Sequence, residues 1–315
     1  MINRTYIKAP KTGIVIVAYN SESVIKECLK SLFTNNYPNM EVVVVDNASS
    51  DKTVSRIRRY FKNVHIIGNK KNVGFGSANN IGIKYLRKKN CDFFLLLNPD
   101  TVSSPTLIKK LVNIFQEDDR IGIAGCIITY AKNHKKIWFG GGYFNKLFCF
   151  TRHKYMNQSL NSAKVKSGRV DFITGACMMI DSKIIKKTGF IPEQYFLYFE
   201  DVFFCQKVRE KGFSCYLLAE PLISHHVSSS TGIKETNKMT NLRAYFFARN
   251  TLLYIRENVG GYLKLTNLFG QFFIRFPIYI LKIIREKNIK AIEFYCRGIF
   301  DGLFRGSSSV SLNNE

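Results

Sequence analysis

The feature that most constrains the fold is a pattern that the first hundred residues contain three times: an apolar run of strand length that ends abruptly in polar residues. The runs end at Asn20, at Asp46 and at Asp100, and the first two are followed by apolar residues at helical spacing. Strands that alternate with helices through short connections predict an α/β fold, with a mostly parallel sheet and helices on both faces. Because such sheets bind ligands at the carboxyl ends of their strands, the three polar ends predict a site.

A lone aspartate after a strand is more often a turn former or a helix cap, so only the repetition of the pattern favours a site. A short third strand is predicted at 65–67, and a helix from Asn80 to Lys89. The glycine turn at 74–79 lacks the third glycine of a dinucleotide-binding loop and does not follow the first strand. No G-x-x-x-x-G-K-[ST] phosphate loop occurs. The sequence therefore argues against the dinucleotide-binding and P-loop classes.

Several segments, taken in their order along the chain, carry a more specific signal. They are V-A-Y-N at 17–20, V-D-N-A-S-S-D at 45–51, N-V-G-F-G-S-A-N-N-I-G at 72–82, N-P-D at 98–100, F-I-T-G-A-C-M-M-I at 172–180, F-E-D at 199–201 and H-H at 225–226. Together they resemble family 2 glycosyltransferases, in particular the branch of rhamnosyl- and galactofuranosyltransferases, over about residues 12–255. The resemblance implies a GT-A fold, a nucleoside-diphosphate sugar donor and inversion at the anomeric carbon.

On this resemblance, the donor is bound by residues of the strand ends and of the loops beside them. These residues are Ala18, Tyr19, Asn20, Asp46, Asn72, Gly74, Asn79, Asn98, Asp100 and Arg249. Tyr19 is expected to stack on the base, and Asp46 to accept a hydrogen bond from the ring N–H of uracil or thymine. Arg249 suits the diphosphate because a guanidinium pairs well with phosphate, but an interhelical salt bridge is an equal alternative. The donor is expected to be dTDP-rhamnose or a UDP-sugar.

Glu200 and Asp201 lie in an aromatic-rich stretch, where an isolated charge would be costly to bury. From the residues alone, an acidic pair in the first turn of a helix explains them equally well, since carboxylates are favoured there. The resemblance implies that Asp201 is the catalytic base, with Glu200 beside it. It implies an acceptor site at Trp138, Gly175, Ala176 and Glu200. Many relatives carry a third acid where this chain has Phe203, which weakens the expectation for the acceptor contacts.

A divalent cation, Mn²⁺ or Mg²⁺, is the expected cofactor. Asp100 offers one oxygen ligand, and the resemblance places a second ligand at His225, with His226 as the alternative. A histidine after a short apolar run is more often structural, but an imidazole beside oxygen ligands favours manganese. Asn98 stands where the commoner D-x-D motif has its first acid, so the site carries less charge.

The formal net charge of +24 calls for an anionic partner. No basic-helix, zinc-finger or aromatic RNA-binding pattern accompanies it, so nucleic acid is not expected. We predict a catalytic domain at 1–243, with a nucleotide-sugar half at about 12–130 and an acceptor half at 131–243, and a basic amphipathic helical tail at 244–315. The tail suits an anionic membrane surface. The alternatives are that it packs on the catalytic domain or forms a homo-oligomer interface.

Eight cysteines without a C-x-x-C pair are typical of reduced core thiols, and no stretch reaches the apolar length of a membrane span without interruption. The sequence therefore predicts a cytoplasmic protein that is peripheral on the inner face of the cell membrane. Its predicted function is transfer of one sugar to a saccharide acceptor, lipid-linked in the family, for cell-surface polysaccharide synthesis. A sugar nucleotidyltransferase and a non-catalytic membrane-associated nucleotide-sugar-binding protein are the alternatives.

Overall fold

The computed structural model describes residues 9–227 and 239–305. Its strands are β1 Thr12–Ala18, β2 Met40–Asp46, β3 His65–Gly68, β4 Phe93–Leu97, β5 Thr101–Ser103, β6 Ile121–Tyr130, β7 Asn133–Phe139, β8 Gly142–Asn145, β9 Phe150–His153, β10 Gly168–Val170, β11 Cys177–Asp181 and β12 Ser214–His225. Its helices are α1 Ile25–Phe33, α2 Thr53–Tyr60, α3 Phe75–Lys88, α4 Leu107–Glu117, α5 Ser182–Thr188, α6 Glu200–Glu210, α7 Asn241–Asn258, α8 Gly261–Phe269, α9 Phe276–Arg285 and α10 Lys290–Phe304. A π-helical segment, Gly270–Arg275, joins α8 to α9.

The main sheet confirms the predicted α/β class. Its strand order is β10-β12-β6-β11-β4-β1-β2-β3, with β5 paired to β12 and β7 paired to β6. The strands predicted from the sequence are parallel neighbours, since β1 pairs with β2 and with β4, and β2 pairs with β3. Every residue of β1 and β4 is buried, which explains why both read as continuous apolar runs. The carboxyl ends of β1, β2 and β4 consequently meet at one edge.

Helix α3 begins at Phe75 rather than at the predicted Asn80. The residue before it, Gly74, has φ of 86°, a backbone conformation that glycine adopts at little cost. Further along the helix, a Cβ at Gly82 would lie 2.5 Å from a methyl carbon of Val15. The helix therefore packs closely on β1 and fixes the loop before it against the strand ends.

The chain divides into two compact units. Unit 1 comprises Met1–Tyr143, Arg152–Ile191 and Asp201–Thr236, and unit 2 comprises Phe144–Thr151, Pro192–Glu200 and Asn237–Glu315. Within unit 2, a buried cluster joins Ala244 and Ala248 of α7 to Ile283 of α9 and Tyr295 of α10. All eight cysteines are free thiols, and seven of them are buried.

One helix among the described residues, Gly261–Arg285, is long and apolar enough to cross a membrane by length and composition. The prediction from the sequence concerned an uninterrupted apolar stretch, whereas this helix qualifies by its average hydropathy. Arg275 and Lys282 interrupt its apolar run. Only 28% of its most apolar part is buried within the structure.

Candidate active site

The ends of β1 and β2 form the first part of the candidate site. Asp46 is buried, and its Oδ2 accepts a hydrogen bond from the Ser49 backbone N–H at 3.2 Å. Its Oδ1 is also buried and has no hydrogen-bond partner in the described part of the chain. Asn20 joins the two strand ends, because its N–H donates to Ser49 Oγ at 2.9 Å and its Oδ1 accepts from the Ser50 N–H at 2.8 Å. The strand end therefore presents one acceptor oxygen without a protein donor.

Ala18 is fully buried in β1, and Tyr19, which follows it, is half-buried. The backbone N–H of Tyr19 donates to Ser21 Oγ at 3.3 Å. The phenol ring thus follows the buried strand directly and remains partly accessible. This position agrees with the predicted stacking of Tyr19 on a base, which stays a prediction.

A buried asparagine that the sequence analysis did not single out, Asn47, organises the loop before α3. Its amide donates to Asn72 Oδ1 at 2.7 Å, and its Oδ1 accepts from the Val73 N–H at 3.0 Å. Asn72 Oδ1 also accepts from the Gly74 N–H at 3.0 Å. The predicted donor residues Asn72 and Gly74 are therefore held close to Asp46 by its neighbour in sequence. Asn79 lies inside α3, where its amide donates to Phe75 O at 2.9 Å.

Asp100 and His225, the two metal ligands that the family resemblance suggested, lie together in the second part of the candidate site. β5 follows Asp100 and pairs with β12, which ends at His225. His225 Nε2 lies 2.9 Å from Asp100 Oδ1, and both side chains are buried. The remaining polar atoms of the pair, Asp100 Oδ2 and His225 Nδ1, are buried without a hydrogen-bond partner in the described residues. These two atoms are thus left for partners outside the described chain.

Burial opposes the ionisation of Asp100, but the charge and hydrogen bond of His225, a backbone hydrogen bond and the charge of His226 together outweigh it, so the pKa of Asp100 is lowered. The ring of Trp138 stands edge-on to the His225 imidazole, with 4.5 Å between the ring centroids. Trp138, a predicted acceptor residue, therefore contacts the Asp100–His225 pair directly. His226, the alternative ligand, lies 3.4 Å from Glu27 instead. The geometry favours His225.

The third part of the site joins the end of β4 to the first turn of α6. The N–H of Asn98 donates to Ala176 O at 3.1 Å, and the N–H of Gly175 donates to Asp201 Oδ2 at 3.0 Å. A Cβ at Gly175 would lie 2.8 Å from the ring of Phe75, so the position needs a small residue. The predicted acceptor residues Gly175 and Ala176 thus connect Asn98 of the donor motif to Asp201, the predicted base.

The surroundings of Asp201 raise its pKa, because loss of solvation outweighs the hydrogen bonds from Gly175 and Val202 that favour the carboxylate. A general base with a raised pKa is better matched to proton transfer near neutral pH. Glu200, one residue earlier, is buried.

The loop before Asp201 holds an unusual backbone conformation within unit 2. Phe196, Tyr198 and Phe199 have φ of 61°, 66° and 79°, which costs free energy in residues with large side chains. The Asn250 amide offsets this cost by donating to Tyr195 O at 2.9 Å and to Leu197 O and Tyr198 O at 2.8 Å. Asn250 was not among the residues predicted from the sequence, although it stands next to Arg249, which was.

Arg249 is buried and contributes to the same arrangement. Its guanidinium donates to Gln194 O at 3.1 Å and to Asn250 Oδ1 at 2.8 Å. Burial lowers the pKa of Arg249. The side chain therefore supports the loop and the asparagine that caps it, and its predicted contact with the donor diphosphate stays a prediction.

We expect Asn250→Ala to lower transfer activity at least ~10-fold, because the loop would lose the amide that donates to three of its carbonyls. Unfolding free energy should fall by about 1–3 kcal/mol for the same reason. Donor affinity should change little, since Asp46 and Asp100 are untouched. Transfer kinetics, thermal unfolding and donor titration measure the three effects.

Asn258→Ala is the matched control, because Asn258 lies on the same helix and donates one bond, to Tyr254 O at 3.3 Å. Equal transfer rates in the two variants would show that the amide of Asn250 does not support the loop.

The chain is similar in sequence to a known family and to characterised proteins. The family model described as "Glycosyl transferase family 2" matches residues 13–189, more than half of the chain. The low-salt glycan biosynthesis hexosyltransferase Agl10 of Haloferax volcanii is 30% identical over 203 residues, which are 64% of this chain and 62% of that protein. The N-acetylglucosaminyl-diphospho-decaprenol L-rhamnosyltransferase of Mycobacterium tuberculosis is 22% identical over 303 residues, 89% of this chain and 97% of that protein.

Among solved structures, the mannosyltransferase PcManGT of Pyrobaculum calidifontis, in complex with GDP-Man and Mn²⁺, superposes with a TM-score of 0.59. The match covers 95% of this chain and 88% of that one at 12% sequence identity, so it carries the fold. It confirms the predicted GT-A architecture. The chain belongs to glycosyl transferase family 2 and is a glycosyltransferase of GT-A fold.

Proposed function

We propose that this glycosyltransferase moves one sugar from a uridine or thymidine diphosphate sugar to a saccharide acceptor, with inversion at the anomeric carbon. One observation carries the proposal: three polar atoms at the carboxyl edge of the sheet are buried without a partner in the described chain. They are Asp46 Oδ1, Asp100 Oδ2 and His225 Nδ1. A buried polar atom without a partner costs free energy, which a bound ligand that supplies the missing contacts would recover.

The unpartnered Asp46 Oδ1 suits the nucleobase. Uracil and thymine each carry one ring N–H that can donate a hydrogen bond to a carboxylate oxygen such as Asp46 Oδ1. Tyr19 follows the adjoining strand with its ring partly accessible. The loop at Asn72 and Gly74 would close the other side of the nucleoside. Agl10 is named as a hexosyltransferase and the mycobacterial relative as a rhamnosyltransferase. We propose dTDP-rhamnose or a UDP-hexose as donor.

Asp100 and His225 fit a divalent cation, although no cluster of three or more His, Cys, Asp or Glu side chains occurs in the described residues. A carboxylate and an imidazole that are buried side by side are ligand types that Mn²⁺ accepts, and the donor diphosphate would supply further oxygens. Bound there, the cation would stabilise negative charge on the leaving diphosphate. The complex of PcManGT with Mn²⁺ supports this assignment by fold.

Asp201 is proposed as the general base. Its Oδ2 is oriented by the Gly175 N–H, and its raised pKa favours uptake of a proton. The acceptor hydroxyl gives its proton to Asp201 as its oxygen forms a bond to the anomeric carbon. The bond from that carbon to the diphosphate oxygen breaks on the opposite side, and the diphosphate leaves with the electron pair. One such displacement inverts the anomeric centre without a glycosyl-enzyme intermediate.

We propose that the acceptor is lipid-linked and that the enzyme works at the cytoplasmic face of the cell membrane. The printed name of the mycobacterial relative describes such an acceptor, a sugar attached through diphosphate to decaprenol. The free thiols agree with a reducing compartment, and the net charge of +24 favours an anionic surface.

The test is release of nucleoside diphosphate from a panel of UDP- and dTDP-sugars, with and without polyprenyl diphosphate-linked saccharides. We expect one donor to give diphosphate release that depends on acceptor, and a product whose anomeric configuration by NMR is opposite to that of the donor. Retained configuration would refute the single displacement. Release of pyrophosphate from a sugar phosphate and a nucleoside triphosphate would instead indicate a nucleotidyltransferase.

A further inference from the structure

The helix Gly261–Arg285 has its polarity reversed relative to a helix of a water-soluble domain. Its buried polar side chains are Asn267, Gln271 and Arg275, all of which are at least 93% buried. Six large apolar side chains point away from unit 2 and are between 52% and 72% exposed. We call these six residues the outer face: Tyr262, Leu265, Phe269, Phe273, Ile278 and Leu281.

The three inward polar side chains donate hydrogen bonds within unit 2. Asn267 donates to Lys146 O and Leu147 O, both at 2.9 Å. Gln271 donates to the Tyr295 hydroxyl at 3.1 Å, and Arg275 donates to Cys149 O at 2.7 Å. Each of the three side chains thus donates to an acceptor inside the protein, although Asn267 Oδ1 and Gln271 Oε1 are buried without a partner in the described residues.

The π-helical segment keeps this arrangement in phase. The inward residues recur every fourth position, and on a regular α-helix each such step would drift by about 40° around the axis. The wider turn, in which the Phe276 N–H bonds to Gln271 O five residues earlier, absorbs the drift. Arg275 consequently faces the protein while Phe273 and Ile278 face outward.

Large apolar side chains exposed along a helix of 25 residues are typical of a surface that contacts a membrane or another protein. A helix with its polar side chains toward the protein and its apolar side chains outward has the pattern of a surface in contact with lipid. The helix rests along one side on the 146–149 segment, α7 and α10, so its apolar surface is one-sided, which suits a helix lying in the membrane plane.

Charge decides between a bilayer and a second copy of the chain. Residues 261–305 carry eight Lys and Arg against three Asp and Glu. Exposed Arg285 and Lys287 line, with Lys282 and Glu286, a cavity of about 600 Å³ at the end of the helix. Cations at this position attract anionic headgroups, whereas two copies with a net charge of +24 each would repel one another.

We infer that the outer face lies in the acyl-chain boundary of an anionic leaflet, with the helix parallel to the membrane and Arg285 and Lys287 among the lipid headgroups. This inference deepens the membrane placement proposed above. It specifies which surface of the enzyme touches lipid, and therefore which side chains set its affinity for the membrane.

The depth of the outer face in the membrane is tested first, by quenching of tryptophan fluorescence with lipids that carry bromine on their acyl chains. The full-length Phe273→Trp variant should be quenched in vesicles of phosphatidylcholine and phosphatidylglycerol. The Phe33→Trp variant is the control, because Phe33 is an exposed aromatic residue of unit 1. The single native tryptophan, Trp138, gives both variants the same background. Equal quenching of the two variants would overturn the inference.

Affinity is tested by flotation of Leu265→Gln/Phe273→Gln/Leu281→Gln with the same vesicles. Partition should fall at least ~10-fold, because three large apolar side chains are lost from the lipid contact. Phe33→Gln/Tyr60→Gln, which removes exposed aromatic groups from unit 1, should bind as the wild type does. Omission of phosphatidylglycerol should weaken binding by the wild type and by this control.

Two other outcomes would overturn the inference. Unchanged flotation of the triple variant would place the lipid contact elsewhere. A wild-type dimer that the triple variant turns into a monomer, without vesicle binding, would show that a second copy covers the outer face. Diphosphate release measured without vesicles reports on the proposed function separately, since vesicle binding without release from any donor would refute that function and leave the inference intact.

Discussion

Asp201→Asn should reduce sugar transfer at least ~10²-fold while leaving donor affinity unchanged, because the amide cannot take the acceptor's proton. Its oxygen can still accept one of the two hydrogen bonds that Gly175 and Val202 now donate to the carboxylate. Single-turnover kinetics with saturating donor and acceptor measure the chemical step, and titration with the nucleoside diphosphate measures binding.

Asp119→Asn is the matched control, since it makes the same chemical change on an exposed aspartate. Transfer by Asp201→Asn at the rate of this control would remove Asp201 as the base and make Glu200→Gln the next variant. If Asp201→Asn and Glu200→Gln both transferred at a near-normal rate, neither acid of the pair would be the base.

The pH dependence of the wild type follows from the raised pKa of Asp201. The base acts in its ionised form, so activity is present above that pKa and is lost as the pH falls through it. The acidic limb of the kcat/KM profile should therefore lie above the value of 3.8 for an ordinary aspartate. A limb at or below that value would contradict the assignment of this base.

Asp100→Ala should abolish metal-dependent transfer, with a loss of at least ~10²-fold, because the leaving diphosphate would lose the cation that offsets its charge. In the wild type, EDTA should remove activity and Mn²⁺ or Mg²⁺ should restore it. Restoration should fail in Asp100→Ala. Paramagnetic resonance of Mn²⁺ in the presence of the nucleoside diphosphate provides a reading of binding that does not depend on turnover.

Asp119→Ala serves as the control for this second prediction, and it should respond to EDTA and Mn²⁺ as the wild type does. Full activity of the wild type in EDTA would contradict the assignment of a metal site to Asp100. The buried Oδ2 of Asp100 would then need another partner, such as a hydroxyl group of the donor.

The sequence was sufficient to predict the nucleotide half of the fold, because each parallel strand there is one local apolar run. β1 and β4 are buried along their whole length, and their patterns need no knowledge of distant residues. The start of α3 was missed because Gly74 and Gly76 look like a loop, whereas Asn47 and the close contact of Gly82 with Val15 fix the helix there.

Long-range pairings explain what the sequence could not show of the site. His225 meets Asp100 because β12 pairs with β5 across more than a hundred residues, and only the family resemblance suggested that contact. The hydrogen bonds of Asn250 to the loop before Asp201 leave no local pattern. The polarity of helix 261–285 was likewise hidden, since the sequence shows basic and apolar residues but not which of them face the protein.

The discontinuity of unit 2 bears on the order in which the enzyme matures. The stretch Pro192–Glu200 belongs to the same compact unit as the C-terminal helices, and its carbonyls find their donor in Asn250, some fifty residues later. Because a chain is synthesised from its N-terminus, the nucleotide half can fold on the ribosome while this loop still lacks its partner. A nascent chain would thus acquire the ability to bind a donor before it acquires the ability to transfer the sugar.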